Sequence, residues 1–130
     1  MSEYQTPLKR ARGLGSAREG VGHWWAQRLT AIALIPLSLW FLWLIIALDT
    51  SDYASIRASF AQPLHAIPLM VFVWALFHHG QLGVQVVIED YVHYRPAEIS
   101  LLVLVKFLAF AAALTATIAI LLLLFGARFP

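Results

Sequence analysis

The sequence predicts an all-α membrane protein, a bundle of three transmembrane helices, and three observations carry that prediction. Apolar residues make up 61% of the 130-residue chain and charged residues only 12%, too few to cover a soluble domain of this size. The apolar residues fall in three runs, each long enough to cross a bilayer. Most of the charges gather in an N-terminal arm, in two short links and near the tail. The bilayer is therefore the expected solvent for most of the chain.

The arm, residues 1–22, is polar and carries Gly13, Gly15, Gly20 and Gly22, so an irregular segment is expected there. It does not read as a cleaved signal peptide, because the apolar run behind it is too long and no small-residue site ends it. Residues 23–126 are read as the three-span domain, with spans at about 26–48, 65–89 and 99–125. The first apolar run, Leu29 to Leu48, covers ~30 Å as a helix. Pro36 lies within it, which helices in lipid tolerate, with a bend as one outcome. Trp24 and Trp25 mark one interface, Trp40 and Trp43 lie toward the other, and Asp49 and Asp52 end the span. Residues 51–61 place Tyr53, Ile56 and Phe60 at helical spacing, which predicts a short helix in the outer interface, closed by Pro63. The second span carries His78, His79, Gln81 and Gln85 at membrane depth, and a loop with Arg95-Pro96 follows it. In the third span the long stem of Lys106 can reach the interface. Ala109, Ala113 and Ala116 there form a small-residue stripe, read equally as a close-packing face or as chance enrichment.

Charge and cysteine content narrow the function. No cysteine is present, which excludes thiolate metal sites, iron–sulfur clusters and disulfides within the chain. The net charge of +2 is concentrated at Lys9, Arg10, Arg12 and Arg18, just ahead of the first span. That placement predicts a cytoplasmic N-terminus and an outer C-terminus rather than nucleic-acid binding. Asp90-Tyr91 and Arg28 then share the cytoplasmic side.

Polar groups inside a membrane call for a reason. On a helix His79, Gly83, Val86 and Asp90 share a narrow stripe. An imidazole with glycine one turn later offers an iron ligand beside a flat surface, as a b-type haem requires. Hydrogen bonding of His78 and His79 to neighbouring helices is the other reading of the same pattern. Two axial ligands must approach iron from opposite faces, and His65 is ~21 Å from His79 along the helix. His23 and His93 lie in or near polar termini. A second histidine ligand would therefore come from another subunit, and this chain would hold half a site. At the cytoplasmic edge the Tyr91 phenol can donate to a quinone carbonyl, with Asp90 beside it; an interfacial tyrosine next to a solvated acidic pair, Glu89 included, is the commoner reading of such a residue seen alone. Arg28 can pair with haem propionates or serve as a snorkelling topogenic charge.

The order His79-x3-Gly83-x6-Asp90-Tyr91 on a second span resembles the small hydrophobic membrane-anchor subunit of succinate dehydrogenase, respiratory complex II. The stretch from His23 to Arg28, followed by Leu29-Thr30-Ala31, is similar to the start of that family's first helix, and the likeness covers residues from about 20 to 126. The resemblance implies half of a two-subunit haem-binding membrane anchor, with haem b shared and His79 as this chain's axial ligand. It implies Arg28 and, more loosely, His23 near the haem propionates, Gly83 against the macrocycle, and Tyr91 with Asp90 at ubiquinone. His78 has no clear counterpart. The implied partners are a second anchor subunit of cytochrome b556 type, an iron–sulfur subunit and a flavoprotein subunit, with membrane lipid around them. The implied place is the bacterial cytoplasmic (inner) membrane, with the C-terminus periplasmic. Electrons from succinate would reach quinone through the soluble subunits, linking the tricarboxylic acid cycle to the respiratory chain, with no dicarboxylate chemistry in this chain. The rival readings are a fumarate reductase anchor, a cofactor-free structural membrane subunit and, least supported, a small transporter with His79 and Asp90 as a proton relay.

Overall fold

A computed structural model of the chain describes residues 20–48 and 52–126. Among these residues four helices follow one another: α1 (Gly20–Ala47), α2 (Tyr53–Phe60), α3 (Pro63–Tyr91) and α4 (Arg95–Gly126). α1, α3 and α4 are long and apolar enough to cross a membrane. The expectations for Lys9, Arg10, Arg12, Arg18, Gly13, Gly15 and Asp49 lie outside the described residues.

α1 begins at Gly20, so Gly20 and Gly22, expected in an irregular segment, are helical. They sit in the first turn, where N–H groups have no intrahelical partner and glycine interrupts little. The helix runs unbroken through Pro36, at the loss of one backbone hydrogen bond. α2 starts on a side-chain cap. The Asp52 carboxylate accepts from the Ala54 N–H at 3.0 Å, the Ser55 N–H at 3.1 Å and the Ser55 hydroxyl at 2.7 Å. Those donors, the Ser55 hydroxyl first, hold the Asp52 carboxyl below its ordinary value. The cap is therefore charged and in force at neutral pH and is lost only as acid protonates it. Ile56 and Phe60 turn partly inward as their spacing suggests, whereas Tyr53 stays exposed. From the same short helix the Arg57 guanidinium donates to the Gly126 carbonyl at 3.0 Å, a cation on the unpaired C-terminal end of α4.

Pro63 occupies the first turn of α3, where its fixed φ suits the helix and its missing N–H costs nothing. His65 Nδ1 lies 3.0 Å from the Ser59 carbonyl and ties this end to α2. Arg95 and Pro96, expected in a loop, instead form the first turn of α4, with Arg95 Nη1 3.2 Å from both Glu98 carboxylate oxygens. Proline is as well suited to that first turn as Pro63 is to its own.

α3 is the middle of a single layer. α1 packs on one side of it and α4 on the other, and among the described residues no Cα of α1 comes within 8 Å of one in α4. Both neighbours run antiparallel to α3. Phe41 stacks on Phe72 at 5.1 Å between ring centroids, and Thr30 meets His79 further along. On the other side the Trp74 indole N–H donates to the Thr117 hydroxyl at 2.9 Å, and its ring meets Phe110 edge-on. Ala113, 2% exposed, is buried in the fold, with Ala109 and Ala116 half-buried. The close-packing reading of the alanine stripe therefore prevails at Ala113. Replacing Ala113 by Leu should cost about 1–3 kcal/mol through overpacking, read as a lower unfolding temperature in detergent. An unchanged temperature would show that the seam has slack. Beyond Leu44, Ala66, Leu82, Ile88, Ala113 and Ile120 little is buried, and aliphatic side chains such as Ile46, 82% exposed, cover the outside. Such a surface suits lipid or another apolar partner, not water.

Candidate functional site

One group of polar side chains from the spans meets between α1 and α3. His23, Gln27 and Thr30 stand four and three residues apart on α1, hence on one face. The antiparallel packing sets that face against His79 and Gly83. His79 is half-buried, with Nδ1 3.0 Å from Thr30 Oγ1 and Nε2 3.4 Å from the Gln27 side-chain nitrogen. A Cβ added at Gly83 would lie 3.8 Å from that same nitrogen, ordinary van der Waals contact. The Gln27 amide thus covers the glycine surface and the imidazole edge together. Two buried atoms in this seam, His23 Nε2 and Gln27 Oε1, have no hydrogen-bond partner among the described residues. An unpaired buried polar atom costs about 1–3 kcal/mol, so the seam is incomplete as it stands.

The other expected site residues do not join this cluster. Arg28 is exposed, with its guanidinium 5.1 Å above the Trp24 ring. It follows Gln27 by one residue and so points about 100° away around the helix. Asp90 and Tyr91 end α3 on the same side of the layer as the start of α1, and Tyr91 is 78% exposed. They lie ~16 Å or more along the helix from His79. Glu89 is not merely solvated: it accepts from Gln85 Nε2 at 2.8 Å, and Gln85 accepts from Gln81 Nε2 at 3.1 Å.

The adjacent histidines part company. His79 faces α1, while His78 is exposed on an uncovered side of α3, lining one groove with Gln81, Lys106 and Ala113 and another with Thr30 and Met70. Lys106 therefore lies beside membrane-depth polar groups rather than standing alone. Gln27 and Thr30 were missed as site residues. Their spacing with His23, three polar groups on one face at the head of an apolar run, is the signal that could have found them.

Among the described residues no three His, Asp or Glu side chains converge as a metal-ion site. Among the described residues the seam holds the His79 imidazole beside Gly83 and, nearer the start of α1, that of His23, too few groups for a bare ion. A single imidazole is what an iron already held by a macrocycle needs from one side.

The fold and seam define a multi-pass membrane protein with a polar seam between two of its three long apolar helices. The chain belongs to the family described as succinate dehydrogenase/fumarate reductase transmembrane subunit, which matches residues 2–125. It is similar to the succinate dehydrogenase hydrophobic membrane anchor subunit of Rickettsia bellii (strain RML369-C), 38% identical over 80% of this chain and 83% of that protein. The subunit of the same name from Paracoccus denitrificans is 35% identical over 68% of each chain. That of Rickettsia prowazekii (strain Madrid E) is 25% identical over 91% of this chain and 94% of its own. No solved structure is significantly similar.

Proposed function

We propose that this chain anchors the flavoprotein and iron–sulfur subunits of a succinate:quinone oxidoreductase to the bacterial cytoplasmic membrane. In this reading it shares a haem b with a second anchor subunit and completes a ubiquinone-reduction site. The observation that carries the haem reading is the seam itself. His79 places an imidazole edge at membrane depth, beside two buried polar atoms that lack partners among the described residues. Those orphaned atoms fit a polar, ligand-holding seam better than a finished helix contact. His79 would hold the iron, Gly83 would admit the macrocycle once the Gln27 side chain turned aside, and Arg28 and His23 would serve its propionates from the cytoplasmic end. Bound there, the haem supplies a one-electron centre within the bilayer.

At the end of α3 the exposed Tyr91 phenol would donate to a quinone carbonyl oxygen, and the Asp90 carboxylate beside it would orient that donor and hold a proton. The remaining walls of that pocket would come from partner subunits. The topology proposed from the basic arm, with the N-terminus cytoplasmic, sets this edge on the side where soluble subunits dock. Relatives named for succinate dehydrogenase favour succinate oxidation over the fumarate reductase reading.

The test is purification of the intact complex in mild detergent, with an optical spectrum and identification of the bound subunits. A b-type absorption on reduction, together with flavin, iron–sulfur and second-anchor subunits, is expected. A complete complex without haem absorption would leave a cofactor-free anchor. A chain that brings down none of those subunits would overturn the whole assignment.

A further inference from the structure

His79 is gripped on the side away from its second nitrogen. Thr30 Oγ1 lies 2.7 Å from the Ala26 carbonyl, 3.1 Å from the Gln27 carbonyl and 3.0 Å from His79 Nδ1. A hydroxyl has one hydrogen to give and two lone pairs to offer. The 2.7 Å contact has the usual O–H···O length, and back-bonding to a carbonyl one turn earlier is a habit of helical threonine. The hydrogen therefore goes to Ala26. What remains for His79 is a lone pair, so Nδ1 must be the nitrogen that carries a proton. Nε2 is then left with its lone pair free. The Gln27 amide nitrogen, a donor, faces Nε2 at 3.4 Å, which suits a lone pair there and is too long to hold it firmly.

We propose that Thr30 is the positioning residue of the His79 ligand, fixing its tautomer and ring rotation so that Nε2 is presented to iron. This rests on the reading of His79 as a haem ligand. Thr30 is suited to the task for two reasons. Its β-branched side chain is restricted at χ1, and its hydroxyl is pinned by its own helix, so the acceptor does not rotate away. An Nδ1–H···O bond also makes the opposite nitrogen a more basic ligand, which favours ferric over ferrous iron. Loss of such an outer partner commonly weakens a metal site about 10–100-fold.

The experiment uses the intact purified complex carrying Thr30→Val, Thr30→Ala, Thr30→Ser or His79→Ala. Haem transfer to a scavenging apo-globin, the haem midpoint potential and the low-spin electron paramagnetic resonance spectrum are read for each. Thr30→Val keeps the shape without the hydroxyl, and Thr30→Ala guards against a valine that does not assemble. Both should release haem about 10–100-fold more readily, with a raised midpoint and an altered spectrum. Thr30→Ser, which keeps the hydroxyl, should behave like the parent. Parent-like haem in either hydroxyl-free variant overturns the proposal, as does a Ser variant as impaired as Val. A haem-free His79→Ala beside parent-like Thr30 variants removes only the role of Thr30. Retained haem in His79→Ala removes the ligand reading itself.

Discussion

His79→Ala in the intact complex should lose its haem. Removing a partner that merely orients a metal ligand costs about 10–100-fold in affinity, so removing the ligand should exceed about 100-fold. The fold should survive, because His79 is only half-buried and the α1–α3 contact is carried further along by pairs such as Phe41 with Phe72. The optical spectrum of the reduced complex reads the first effect. Topology reads the second: the chain has no cysteine, so single cysteines placed near each helix end report their side by labelling. His78→Ala is the matched control. It is exposed on an uncovered side of α3, makes no hydrogen bond to Thr30 or Gln27 among the described residues, and should leave the haem spectrum as it was. Full haem in His79→Ala, or haem loss confined to His78→Ala, would assign the iron to the wrong residue.

The second large effect is expected at the other end of the same helix. Tyr91→Phe keeps the ring and deletes the one donor proposed for the quinone. Hydrogen bonds to groups that gain charge contribute about 1.5–3 kcal/mol, which corresponds to roughly 10–100-fold in rate. Succinate:ubiquinone activity should fall by that factor, while succinate oxidation by an artificial acceptor that draws electrons from the soluble subunits should hold. Tyr91 makes little packing contact within this chain, and phenylalanine keeps its ring, so the comparison isolates the hydroxyl. Equal losses in both assays would move the quinone away from Tyr91.

The spans were legible because length and apolarity alone define them, and the three long helices lie where the apolar runs predict. Their ends were less so. Arg95-Pro96 reads as a turn in sequence, yet proline suits the first turn of a helix as well as it suits a loop, and the ion pair to Glu98 forms only once that turn exists. Gly20 and Gly22 misled in the same way. The phase of the second span was readable: Gly83 and His79 do share a face, and His78 does not. What faces them was not readable. The rotation of α1 against α3 depends on packing that no single-helix pattern contains, so Gln27 and Thr30 passed as unremarkable polar residues near a membrane edge. Arg28 shows the converse, since sequence adjacency to Gln27 hides a difference of about a quarter turn or more in direction.

The flat arrangement of α1, α3 and α4 carries one more consequence. Among the described residues the middle helix is left bare on both broad sides, and nothing there encloses His78, Lys106 and the ladder from Gln81 to Glu89. In the assembly we propose, a solitary copy would be an unfinished object in the bilayer, with its abundance in the cell tied to the supply of the other subunits.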